Sequence, residues 1–191
     1  MNKGPSRALF LWKNMDYEIK QVITSEERAS IVKKLAKIKP VYYHQNYNLH
    51  DVKQWSGSIN GNTFPEIKGI HDLFPELDVY SSYFLEYGVD SFTKQHTDDD
   101  KQIAKTIVTL IQSTNLKGGE TIVLKTYKNK PRPSWAKRKG DAWYNKKIIP
   151  EVVYMEDGES IIYDHALPHS VSQVTQGTRL VLVTWLTNRD K

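Results

Sequence analysis

The chain has 191 residues, 39% hydrophobic and 26% charged, which fits one domain with a sizeable core and a soluble, globular character. It has no cysteine, which excludes a disulfide scaffold, a thiolate zinc site and a cysteine nucleophile, and fits a cytoplasmic protein. Its net charge of +5 is uneven: residues 125–147 hold nine Lys or Arg against one acid, Asp141, so this segment carries +8 and the rest −3.

The opening MNKGPSRALFLWKN offers only ALFLW as an apolar run. That is too short for a signal sequence or a membrane span, so no membrane association is expected. TSEERASIVKKLAKIKP predicts a helix. Thr24 and Glu27 have capping-box spacing, Ile31, Val32, Leu35 and Ile38 make one stripe, and Pro40 lies just past the end. Residues 41–63 read as irregular structure or short strands, ending in the turn-like NGN. PEIKGIHDLFPEL predicts a second, shorter helix bearing Ile67, Ile70 and Leu73, weakened by Gly69.

From residue 79 the pattern is that of strands: VYSSYFLEY, TIVTLIQ, ETIVL, SIIYD, HSVSQV and RLVLVTWL. NLKGG separates the second run from the third, and QGT between the last two predicts a hairpin. Many short strands with Gly-containing turns predict a sandwich or barrel. The basic segment 125–147 is longer than a strand connection needs to be. Its aromatics Tyr127, Trp135, Trp143 and Tyr144 are interleaved with the cations, a mix that suits gripping a peptide or a nucleic acid.

The stretch SFTKQHTDDDK, residues 91–101, reads either as an acidic surface run or as two metal ligands. In an extended chain His96 and Asp98 point to one face. A third ligand is available downstream, where His169 follows Pro168 and opens a strand, with His165 as a rival. Two histidines and one carboxylate suit non-haem Fe(II), leaving positions open for other ligands. Arg179 opens the last strand, and its fork can grip a carboxylate with two charge-assisted hydrogen bonds.

In this order, His96-x-Asp98, His169 and Arg179 resemble the 2-oxoglutarate and Fe(II)-dependent dioxygenases, within the prolyl-4-hydroxylase-like branch. YGVDSFTKQHTDD, LKGGETIVL and DGESIIYDHALPHSVSQVTQGTRLVLVTWL are similar to that branch's successive motifs, over residues 80–187 or so. The resemblance implies a mainly β fold with N-terminal helices packed on one sheet, a double-stranded β-helix of jelly-roll, cupin-like type. Residues 1–78 would be a helical or irregular support, and 79–191 the core with the basic insertion 125–147 near the active-site mouth. His96, Asp98 and His169 would ligate Fe(II). Arg179 would hold the distal carboxylate of the cosubstrate 2-oxoglutarate, in a pocket lined by Tyr87, Val171, Trp185 and Thr121. Ascorbate would serve as reductant.

The implied reaction hydroxylates an unactivated C–H while 2-oxoglutarate becomes succinate and CO2. A prolyl residue in a peptide or protein ranks first as substrate, then a free amino acid or a nucleobase. Lys137, Arg138, Lys139, Trp135 and Trp143 are the expected substrate contacts, and nucleic acid is a second partner for that basic segment. A reading of another class is a non-catalytic, cupin-like nucleic-acid-binding module. Two departures matter. Arg179 stands where collagen-type enzymes have Lys, and the tyrosine often found at the end of the third strand is replaced by Gln112 or Ser113. In the nucleic-acid demethylase branch a second arginine would stand at Trp185. Asp99 and Asp100 read as solvated charges, His44, His50 and His71 as structural, and Glu120 as serving its turn.

Overall fold

The computed structural model of the chain describes residues 17–98, 102–128 and 146–189. The first helix forms where its caps predict it, over Ser25–Leu35 (α1). Thr24 and Glu27 close a reciprocal capping box, with Thr24 N–H donating to Glu27 Oε2 at 2.8 Å and Glu27 N–H to Thr24 Oγ1 at 3.3 Å. Ile31 and Leu35 are buried, but Ile38 lies past the helix end and is exposed. The second predicted helix shrinks to a 3-10 turn, Pro65–Ile67, and one turn of α-helix, Lys68–His71 (α2).

The larger difference is an unforeseen strand, Tyr17–Gln21 (β1). Within residues 41–63 the short-strand reading holds, with Val41–Asn46 (β2) and Leu49–Trp55 (β3). Leu77–His96 (β4), Ile103–Gly118 (β5), Thr121–Lys128 (β6) and Lys146–Val153 (β7) follow, then Glu159–Asp164 (β8), His169–Val171 (β9) and Val174–Asn188 (β10). Neighbours pair antiparallel in the order β1-β8-β5-β10-β4-β9-β6-β7, with the β2–β3 hairpin joined to β4 through β3. The fold is thus mainly β, one sheet curled into a jelly roll.

Strand β4 belongs to both halves of the curl. Its first half, Leu77–Tyr87, pairs with β10, and its last part, Thr93–His96, pairs with β9. The change of partner falls at Gly88–Asp90, where Asp90 has φ +70. Ser91 holds the bend: its Oγ accepts from Gly88 N–H at 2.9 Å and donates to Asp51 O at 2.5 Å.

Alternation along β10 divides the core. Leu180, Leu182 and Leu186 join Ile31, Leu35, Ile67 and Ile70 in the layer under the helices. Val181 and Val183 face the barrel interior with Val52, Leu85 and Leu110. Arg179 and Trp185 have the parity of the interior set, as the strand period requires.

QGT is not a hairpin. Gly177 lies inside β10 at φ +76, and the register with β5 slips on both sides of it. A Cβ there would sit 2.1 Å from Thr114 O and 2.5 Å from Asn115 O. The glycine therefore permits a bulge against β5, and the chain continues forward instead of reversing. Gly177→Ala should lower the unfolding free energy by at least about 2 kcal/mol. Urea titration should show this as a lower midpoint with an unchanged slope.

Candidate active site

The sheet-switching of β4 places His96 directly opposite His169 of β9. Their ring centroids are 4.3 Å apart. Asp98 lies just beyond β4, where its N–H donates to His165 O at 3.0 Å. One ligand atom from each of His96, Asp98 and His169 can be chosen so that all lie within 4.8 Å of one another. The chain returns to Asp98 because Thr106 Oγ1, on β5, donates to its Oδ2 at 2.6 Å.

The donor chemistry fits a divalent metal. Nδ1 of His96 lies 2.9 Å from Lys94 O, and Nδ1 of His169 lies 2.9 Å from Leu167 O. A carbonyl can only accept, so each Nδ1 carries a proton, and in the neutral ring Nε2 offers the lone pair. Such backbone bonds are the usual way a ligating histidine is oriented. Burial lowers the His169 pKa below the ordinary histidine value, and neighbouring His96 lowers it further, although Asp98 opposes this. Its imidazole is therefore neutral near pH 7. Oδ1 of Asp98, the oxygen not held by Thr106, is 3.7 Å from His96 Nε2.

An inner chamber opens on these residues. Tyr87, Val171, Thr121 and Arg179 all line it, together with Tyr83 and Tyr163. Arg179 is 3% exposed. Its Nη2 donates to Thr121 Oγ1 at 2.8 Å, and its guanidinium carbon sits 5.6 Å from the Tyr87 ring centroid. Nη1 is buried without an acceptor, and no carboxylate among the described residues pairs with the guanidinium. Burial pulls the Arg179 pKa down from its ordinary value, yet a guanidinium remains charged. Burial raises the Tyr83 and Tyr163 phenols well above the usual range, and the Asp98 carboxylate adds to this. Tyr87 is raised too, chiefly by burial, against the opposing effects of Arg179 and a 2.8 Å hydrogen bond to Thr93 Oγ1. The chamber walls are thus three neutral phenols and one unpaired cation.

Trp185 lines a separate, outer cavity with Asn46, Tyr47, Asn48 and Tyr83, and that cavity also reaches His96 and Asp98. The indole packs edge-on to Tyr83 at 5.3 Å, and its buried Nε1 has no acceptor. Gln112 and Ser113 face outward, with Ser113 bonded to Asp157, so neither replaces the missing tyrosine in the chamber. His165 contributes its carbonyl to Asp98 and is not among the clustered ligand atoms. His44 and His50 flank Asp51, and His71 lies 3.1 Å from Ser82 Oγ. Glu120 accepts from Ser172 and secures its turn. Asp99, Asp100, Lys137, Arg138, Lys139, Trp135 and Trp143 lie outside the described residues. Lys125, counted in the basic segment, is buried in β6 and paired with Glu151 of β7.

Sequence reasoning missed Thr106, which stands in an apolar strand with inward parity alongside Val108. It also missed the β2–β3 turn at the outer cavity. Thr106, one of two threonines in TIVTLIQ, was the available signal for the first, and nothing comparable marked the second.

No family model and no curated protein matches the sequence. Solved structures do match the fold. An oxidoreductase of the 2OG-Fe(II) oxygenase family from Burkholderia pseudomallei aligns with a TM-score of 0.64 at 16% identity, over 92% of this chain and 89% of its own. A Pseudomonas putida prolyl-4-hydroxylase gives 0.60 at 14% identity, over 92% and 94%. HygX from Streptomyces hygroscopicus, solved with nickel and 2-oxoglutarate bound, gives 0.64 at 12% identity, over 91% and 83%. The chain has the fold of the 2OG-Fe(II) oxygenases. No helix among the described residues is long and apolar enough to cross a membrane.

His169→Ala should abolish Mn(II) binding measured by calorimetry, while circular dichroism stays that of the parent. Thr106→Val should weaken Mn(II) binding by about 10–100-fold, because it frees the carboxylate that Thr106 orients. Parent-like Mn(II) affinity in both variants would place the metal elsewhere.

Proposed function

We propose that the protein is a 2-oxoglutarate- and Fe(II)-dependent dioxygenase that hydroxylates an unactivated C–H, with a prolyl residue of a peptide or protein as substrate. The observation that carries this reading is the pairing of a two-histidine, one-carboxylate donor set with a buried guanidinium that lacks a counter-ion among the described residues. His96, Asp98 and His169 would hold the metal. Fe(II), when bound, supplies O2 activation coupled to oxidative decarboxylation of 2-oxoglutarate to succinate and CO2, with one oxygen atom going to the substrate and one to succinate.

The chain's own residues account for the cosubstrate. With a divalent metal present, Asp98 and Arg179 leave the chamber doubly positive, and a dicarboxylate dianion cancels that charge. Arg179 Nη1 and Nη2 form the fork for the distal carboxylate, and Thr121 Oγ1 holds the fork in place. The neutral phenols of Tyr83, Tyr87 and Tyr163 add donors without adding repelling charge. The apolar faces of Val171, Val181 and Val183 exclude water.

A peptide substrate is supported by the outer cavity. Asp98 is the one acidic or basic side chain, histidine aside, among its described lining residues, and the unpaired Trp185 N–H suits a peptide carbonyl. That lining gives no support to a phosphate-bearing substrate at the mouth. Ascorbate belongs in the assay as reductant.

Succinate formation from 2-oxoglutarate with Fe(II) and O2 tests the reading, and its absence would sink it. Arg179→Ala should raise the 2-oxoglutarate KM by at least about 100-fold, since a buried carboxylate would lose its bidentate partner. Arg179→Lys should fall between the two, a point charge replacing a planar fork. An unchanged KM in Arg179→Ala would put the cosubstrate anchor elsewhere.

A further inference from the structure

Four non-glycine residues among those described hold a positive φ: Tyr47, Asp51, Asp90 and Asn115. Asp and Asn tolerate this region because their short side chains bond locally, whereas a bulky aromatic does not. Tyr47, at φ +46, is the first of the two residues joining β2 to β3, because Asn46 pairs with Leu49 across the turn. A positive φ at the first central residue alone is the type II′ pattern, a position that favours glycine.

Relief lies close by in the sequence, since Asn46 and Asn48 flank the tyrosine. A one-residue slip that exchanged them would turn every side chain of the hairpin to its other face. Buried Val52 and Trp55 of β3 hold the register against that. The ring of Tyr47 does not offset the strain by packing, because the residue is 92% exposed. Strain of this kind persists where function retains it.

The location points to that function. Tyr47 lines the outer cavity with Trp185, Tyr83, His96 and Asp98. The turn is fixed there by Lys94, whose N–H donates to Asn48 O at 2.8 Å. We propose that Tyr47 is a substrate-contacting residue that covers an uncharged, ring-bearing segment of the substrate. In the reading above, on which this inference rests, that segment is a prolyl ring entering between the β2–β3 turn and Trp185. Ring faces suit the purpose because they stack on flat or cyclic groups without requiring charge.

The test uses the full chain and two variants. Tyr47→Asn relieves the strain and removes the ring; Tyr47→Phe keeps both strain and ring. Thermal unfolding of Tyr47→Asn should have a midpoint at or above the parent's. A lower midpoint would show that Tyr47 serves the fold and would overturn the inference. Substrate-free succinate formation by the parent is read first, and its absence sinks the enzyme reading itself. The substrate arm offers a poly-L-proline decamer and acetylated peptides carrying one proline among neutral, acidic or basic neighbours, with hydroxylation read by mass. For the peptide that the parent hydroxylates best, Tyr47→Asn should raise KM about tenfold with little change in kcat, and Tyr47→Phe should stay within about threefold. Equal KM for Tyr47→Asn and parent would overturn the inference. A parent that forms succinate but hydroxylates no peptide would remove the prolyl substrate, and the role given to Tyr47 with it.

Discussion

Two imidazoles facing each other across β4 and β9 are the constraint on which the rest of the site depends. They meet because β4 leaves β10 at Gly88–Asp90 and crosses to β9, which sets His96 against His169. Nothing in the local sequence of either strand requires this. It follows from the curl of the whole sheet and from Ser91 holding the bend. Once the rings face each other, the carbonyls of Lys94 and Leu167 dictate which nitrogen is protonated. Burial and the nearby His96 then favour a neutral His169, so a metal ion at this cluster would meet an Nε2 lone pair already aimed.

Arg179 poses the opposite electrostatic problem. A buried cation without a carboxylate partner is unfavourable, and one hydroxyl and one aromatic face offset only part of its lost hydration. A folded chain could remove the problem by placing an acid beside the guanidinium. Here the hydrogen-bond partner is the Thr121 hydroxyl, and burial keeps the neighbouring phenols of Tyr87 and Tyr163 protonated. In the proposed function a bound dianion would meet that deficit. Its binding would then add to the stability of the folded state by mass action.

The readable parts of the sequence were those where a local rule and the tertiary outcome agree. The Thr24–Glu27 box predicted α1, and the period of two along RLVLVTWL separated the leucines under the helices from Val181 and Val183 in the barrel. His96, Asp98, His169 and Arg179 stood out because residue types and order matched a chemistry. What failed needed distant partners. β1 is a strand because it pairs with β8, more than 130 residues away, and four of its five side chains are exposed. β2, where short strands and irregular structure were both open, has no buried residue and is settled as a strand by its hairpin partner β3. Gly177 reads as a turn from its neighbours but acts as a bulge because Thr114 and Asn115 crowd it. Thr106 is an unremarkable strand threonine until Asp98 arrives beside it.

One residue, Lys94, joins the two halves of the proposed chemistry through two separate backbone groups. Its carbonyl accepts from His96 Nδ1–H, and its N–H donates to Asn48 O in the turn that carries Tyr47. The same residue therefore orients a ligand at the metal and anchors the rim over the mouth. A displacement of the turn would be felt first at that N–H. The turn at the rim and the candidate metal ligand thus share one anchoring residue. A hairpin that reads as irregular support in the sequence is, in three dimensions, one hydrogen-bonded residue away from the reacting centre.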